Sequence, residues 1–262
     1  LNNNTVNVSA PTFSSSYGIY TTAADSLYQI TNNKVRIANT VGTQYGIYIN
    51  ASTGTATNRG KLLNNDVVAG TGNTSNIYGL YITASPFIDV FNNTVAVNTS
   101  GASSFGIYCN NSANGNYYNN SVNSIATSAT NNYAAYFLNT SATSINAINN
   151  IFSHKAGGRA MYIGNSSNIS SNYNMLYTTG SVLINRTSPT STTYPTLGSW
   201  VTATLLDRFS IGMNPAFVND STLTPDLNNG DVWAIHGRGV QIEENNKDHN
   251  GNSRPTTLIA GV

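Results

Sequence analysis

The chain has 262 residues, of which only 8% are charged, with a formal net charge of +1 and a single cysteine. No basic stripe exists to neutralise phosphates, so nucleic acid is not an expected partner, and no internal disulfide can form. No apolar run reaches the length of a membrane-spanning helix.

Two markers recur on one clock from the N-terminus. The first is Asn-Asn-x-Val or its variants, at Asn3-Asn4, Asn32-Asn33, Asn64-Asn65, Asn92-Asn93, Asn119-Asn120 and Asn149-Asn150, in steps of 29, 32, 28, 27 and 30 residues. Ser171-Asn172-Tyr173-Asn174 reads as a worn seventh copy. The second is Tyr-Gly-Ile-Tyr, at Tyr17–Tyr20, Tyr45–Tyr48, Tyr78–Tyr81, Phe105–Tyr108, Tyr133–Tyr136 and Arg159–Tyr162, in steps of 28, 33, 27, 28 and 26. Two unlike markers that keep phase describe a structural unit that must stack on its neighbours to bury its apolar face.

Within a unit, Val35 and Ile37 alternate with Lys34 and Arg36, the period of a half-buried strand. After a turn at Gly42, Tyr45, Ile47 and Ile49 are expected on one face, and Gly46 and Tyr48 on the other. A looser stretch from Ser52 to Arg59 leads to Leu62 and the next Asn pair. Two clear strands and a weaker third, returning after about 28 residues, predict an all-β fold: a right-handed parallel β-helix of six to seven coils over residues 1–178. Stacking of equivalent residues predicts an asparagine column at a corner, because Asn tolerates left-handed backbone and its amide can bond the same group one rung away.

Past Thr178 the period dissolves. Residues 179–262 form a non-repeat C-terminal segment with irregular Ser, Thr and Pro content and one short helix opening at Ser199. It carries seven of the chain's 10 acids and is expected to cover the last coil, where strand edges would otherwise lie open.

The Asn-Asn-x-Val coils, together with Trp200, Asp207-Arg208-Phe209-Ser210, Asn214-Pro215-Ala216-Phe217 and Asp248 to Pro255, resemble the secreted or cell-surface right-handed parallel β-helix repeat proteins of Bacteroidetes-type bacteria. The chain departs from that pattern at Asn250, where an Asp is usual, and at Ile259-Ala260-Gly261. The resemblance implies an extracellular or cell-surface location, a longer parent chain with other modules, and either a polysaccharide or another surface protein as partner. The chain also starts inside a repeat, which suggests a mature fragment or part of a longer chain.

Similar scaffolds host polysaccharide lyases and glycoside hydrolases, so catalysis is the alternative to a non-enzymatic rod. The rod's acids, Asp25, Asp66 and Asp89, are not expected to converge, and Lys34, Arg36, Arg59 and Lys61, close in sequence and on adjacent coils, are expected to lack acids nearby; no catalytic residue is assigned. His154, Lys155 and Arg159 are read as solvated turn residues, and His236 and His249 have no metal-ligand spacing. No metal site or cofactor is assigned. The closest approach to one is calcium near Asp248, Asn250 and Asn252, whose alternating oxygens fall short of a good acidic count. Cys109 is read as a small buried apolar residue.

The candidate ligand-binding residues are Tyr20, Tyr48, Tyr81, Tyr108, Tyr136 and Tyr162. If Ile19, Ile47, Leu80 and Ile107 point inward, alternation turns these tyrosines outward as a ladder. Gly18, Gly46, Gly79, Gly106, Ala134 and Ala160 are expected to floor a groove beside it, suited to sugar rings or an extended partner chain.

Overall fold

The computed structural model describes residues 1–9, 13–38, 41–100, 103–127, 131–139, 144–165, 168–234 and 237–255. It is a parallel β-helix of about six turns with three sheets. The first sheet contains Thr5–Val8, Lys34–Ile37, Asp66–Asn73, Thr94–Thr99, Ser121–Ser124, Ile151–His154 and Met175–Thr178. The second contains Ser15–Thr22, Thr43–Asn50, Ile77–Thr83, Ser103–Asn110, Asn131–Asn139, Arg159–Asn165 and Ile184–Arg186, plus the antiparallel Thr192–Tyr194. The third contains Gln29–Thr31, Gly60–Leu63, Ile88–Phe91, Gly115–Tyr118, Ser144–Ile148 and Asn168–Asn172. The weaker third strand of the sequence is thus a full sheet.

Equivalent residues stack in register. Val35 pairs with Val67, Val67 with Val95 and Val95 with Val122, and all four side chains are buried in one continuous core with Ile47, Ile49, Leu62, Leu80, Val90 and Ile107. Cys109 is buried in this core as expected, and burial pushes its thiol up to about 11, so it stays protonated.

The corner between the third and first sheets is made by the asparagine pairs. The leading residue is left-handed in every copy, with φ of 58° at Asn3, 56° at Asn32, 55° at Asn64, 56° at Asn92 and Asn119 and 60° at Asn149; Tyr173 takes the same slot at 57°. The second asparagine turns inward. Asn33 donates through Nδ2 to Asn65 Oδ1 at 2.9 Å, Asn65 to Asn93 at 2.9 Å, Asn93 to Asn120 at 3.0 Å, Asn120 to Asn150 at 3.0 Å and Asn150 to Asn174 at 3.1 Å. The other Nδ2 hydrogen reaches a third-sheet carbonyl, as from Asn93 to Leu62 O at 2.8 Å, and Oδ1 also accepts the preceding rung's backbone N–H. Every polar atom of the buried amide is therefore used, which is the condition for burying it without a penalty.

The opposite corner has a ladder that the sequence reading did not find. Ala23, Ala51, Ala84 and Asn111 are left-handed; a serine directly follows the last three, and Ala24, which donates to the first of those serines, follows Ala23. Ala24 N donates to Ser52 Oγ, Ser52 N to Ser85 Oγ and Ser85 N to Ser112 Oγ, at 3.3, 3.1 and 3.0 Å.

The stack ends in a built cap. The helix spans Leu197–Thr204; its N-cap is Thr196, three residues before the expected start, with Ser199 closing the capping box. Buried Trp200 donates to Asp207 Oδ2 at 2.9 Å. Asp207 Oδ1 accepts Asn174 Nδ2 at 3.0 Å and Ser210 Oγ accepts Asn174 N at 2.8 Å, so two residues share the work of one more asparagine. Ile211 then bridges Met175 in parallel as a further rung.

Beyond this cap the tail does more than cover the last coil: it runs back along the rod. Phe217 and Leu223 pack on Val68 and Ala96 of the first sheet, and Ile242 packs on Phe91 and Tyr118. Asn149, Asn119 and Asn92 hold the returning chain through Val240 and Asn245, and Asn92 also binds the Lys247 carbonyl, His249 and Arg254. The exterior of the first sheet is thereby covered over its middle coils, and the exterior of the second sheet is left as the long aromatic face.

Candidate functional site

All six candidate tyrosines lie on the outside of the second sheet. Tyr20 pairs in register with Tyr48, Tyr48 with Tyr81, Tyr81 with Tyr108, Tyr108 with Tyr136 and Tyr136 with Tyr162. Tyr20 is 51% exposed and the other five are half-buried among their neighbours.

Tyr45 does not share the inward face with Ile47 and Ile49. It is outside, and so are Tyr17 and Tyr78, while Phe105 and Tyr133 continue the same file under closer cover. Alternation breaks at the glycine, where Gly46 and Ile47 are buried in succession. The cause is close approach of backbone to core: a Cβ on Gly46 would lie 2.4 Å from both Val67 Cγ1 and Gly79 O, and one on Gly79 would lie 2.2 Å from Val95 Cγ1. Only glycine fits at those two positions, while the later coils carry buried Ala134 and Ala160 in the same column. The glycines therefore face the interior and floor no external groove.

The strip is thus two files wide. Along the first, ring centroids are 4.9 Å apart between Tyr17 and Tyr45 and 5.0 Å from Tyr45 to Tyr78 and from Tyr78 to Phe105, with interplanar angles of 5°, 5° and 9°. In the second, Tyr81, Tyr108, Tyr136 and Tyr162 are stacked at 8°, 4° and 3°, whereas Tyr48 meets Tyr81 edge-on at 78°. From Tyr81 onward the two files meet edge to face, as for Tyr78 and Tyr81 at 86°, whereas Tyr45 and Tyr48 are stacked at 20°. Most ring faces are spent on one another, so the surface offered to a ligand is ring edges and phenolic hydroxyls repeated at the rung spacing. Arg159 closes the first file with its guanidinium 5.4 Å from the Tyr133 ring centroid.

Burial, then the neighbouring phenols, raise the phenol pKa values along the strip; Tyr78 is pushed up to about 12, and Tyr45, Tyr48, Tyr81, Tyr108 and Tyr136 also rise. The face is accordingly an uncharged hydroxyl surface at neutral pH.

Two of the rod's acids, Asp66 and Asp89, do have basic partners, a departure from the sequence expectation. Arg36 forms an ion pair with Asp66 on the first sheet. Arg59 Nε lies 2.6 Å from Asp89 Oδ1 on the third sheet, where Asn116 Nδ2 also donates at 2.9 Å. Lys61, though opposite Asp89 in register, is not its ion-pair partner. The two pairs stand on different sheets and Asp89 is only 7% exposed, so the two carboxylates do not face a common substrate.

His154 is not a solvated turn residue. It is fully buried, its Nδ1 accepts from Gly158 N at 3.0 Å, and burial, then the Arg159 charge, pushes its imidazole down to about 4. Lys155 finds Asp220 of the tail at 3.3 Å, a partner 65 residues away that spacing could not reveal. Asp248 accepts hydrogen bonds from Asn250 N, Asn252 N and Asn252 Nδ2 at 2.9, 2.8 and 3.1 Å, so the loop aims N–H donors where a calcium ion would want oxygens. Among the described residues no group of three or more His, Cys, Asp or Glu could hold a metal ion. His236 and Ile259-Ala260-Gly261 lie outside the described residues.

No helix among the described residues is long and apolar enough to cross a membrane. No protein-family model, curated protein or solved structure matches the chain.

Proposed function

We propose that this chain is a non-enzymatic β-helical module of an exported bacterial surface protein, a rigid rod that adheres through the tyrosine strip to an extended polysaccharide. The observation that carries the reading is the double aromatic file along the second sheet, outward over six coils and clear of the docked tail. A periodic array of hydroxyls and ring edges suits a periodic, hydroxyl-rich chain lying along the rod axis, and the strip's neutrality favours uncharged or weakly charged polymers. The resemblance of the coils and closing segment to cell-surface β-helix proteins supports the location and a longer parent chain.

The test is binding to a glycan array by the wild-type protein and by Tyr48→Ala/Tyr81→Ala. Polysaccharide binding that falls at least about tenfold in the variant is expected, since two contact aromatics of about 1 kcal/mol each are removed. Equal binding by both proteins, or none by either, would remove the strip as a carbohydrate site.

A carbohydrate-active enzyme is the second reading, and the Arg59, Asp89 and Asn116 cluster is the observation on its side. Release of reducing ends or unsaturated sugars from a polysaccharide panel, abolished by Asp89→Asn, would establish it over the rod.

A further inference from the structure

The returning tail leaves a cleft of about 360 Å³ between itself and the rod, large enough for one ring and its substituents. Its construction follows from the asparagine pairs. At the seventh copy Tyr173 stands in the left-handed slot of the leading asparagine, and Phe209 of the cap stacks on it one rung further, with centroids 5.3 Å apart and 14° between planes. Asn172 Oδ1 accepts the backbone N–H of both residues, at 3.0 and 2.9 Å, which fixes the pair. Phe209 remains 61% exposed. Asn149 holds the roof by accepting Val240 N at 2.9 Å and donating to its carbonyl at 2.6 Å.

Two guanidiniums line this space and no carboxylate does. Arg254 is braced by the Lys247 carbonyl at 3.1 Å and by Asn92 Oδ1 at 2.9 Å. Arg238 is exposed and makes no hydrogen bond or ion pair with any described residue. A chain with so few charges has placed two guanidiniums beside an aromatic wall, Arg238 with no acidic partner among the described residues and Arg254 with only the nearby Asp248 carboxylate outside the cleft, an arrangement that recognises a negatively charged ring.

We infer that this cleft binds a carboxylate-bearing ring, with Arg238 and Arg254 on the carboxylate and the Tyr173–Phe209 pair against the ring. Two ring types share that chemistry, a hexuronate residue of an acidic glycan and an aromatic acid. The site is separate from the tyrosine strip and does not depend on it.

Calorimetric titration of the whole chain with glucuronate, benzoate and uncharged glucose tests the inference. At least one acid should bind in the millimolar range, with glucose about tenfold or more weaker, and preference between the acids assigns the ring type. Arg238→Ala and Phe209→Ala should each weaken acid binding about tenfold, with unchanged thermal midpoints because both side chains are exposed, and Tyr48→Ala/Tyr81→Ala should bind the acid as the wild type does. Absence of binding by both acids, equal binding of glucose, or acid binding unaffected by Arg238→Ala would overturn it.

Discussion

At the scale of single residues the fold turns on what each asparagine of a pair is asked to do. The first supplies left-handed backbone at the surface; the second supplies a buried amide whose donors and acceptor are all engaged. Asn93→Ala should therefore cost about 3 kcal/mol or more, because several buried polar groups lose their partner together. Exposed Asn32→Ala should cost about 1 kcal/mol, the strain of a Cβ in the left-handed region. Urea unfolding of the two variants measures the difference, and equal costs would contradict the division of labour. His154 yields a pH dependence. Its unfolded imidazole takes a proton near 6.5, the folded one only near about 4. Its neutral burial is thus fully tolerated above pH 6.5, and stability is lost as pH falls from there to about 4, by about 3 kcal/mol. His154→Gln should flatten that limb of a stability–pH curve; the same slope in both proteins would show that another group carries it.

At the scale of elements, what could be read from the sequence was whatever repeats. The inward Val and Ile positions, the asparagine column and the outward turn of Tyr20 to Tyr162 all follow from a fixed register and strict alternation. Alternation failed at one place, the glycine of Tyr-Gly-Ile-Tyr, where backbone packs against the core valines and two successive residues turn inward. A clue was present in the sequence: an interior column of five aromatic rings, four of them phenols, would have needed a buried partner for each hydroxyl. The serine ladder was illegible because left-handed alanines give no compositional signal. The cap was legible only as chemistry without a role. Asp207 and Ser210 complete the last asparagine rung, so Asp207→Ala/Ser210→Ala should fray the end of the stack. Hydrogen exchange should accelerate at Met175–Thr178 while Val35 and Val67 stay protected, since coils contact mainly their neighbours. Uniform acceleration along the rod would show that the coils unfold as one unit.

At the scale of the whole molecule, the tail sets which surface is available. By docking on Asn92, Asn119 and Asn149 and burying Phe217, it closes the middle of the first sheet and leaves the aromatic face free. None of these long-range pairings, nor Lys155 with Asp220, has a periodic signature, which is why the tail read only as an end cover. The proposed adhesive role depends on consecutive coils placing the same side chain one above another on the outside of the second sheet. Oxidative cross-linking of paired cysteines tests that placement directly, because native Cys109 is buried and contributes no background. Tyr48→Cys/Tyr81→Cys, neighbours in register across one rung of roughly 4.8 Å, should form a disulfide readily, and Tyr48→Cys/Tyr108→Cys, two rungs apart, should not. Cross-linking of the distant pair, or failure of the adjacent one, would contradict the stacked strip.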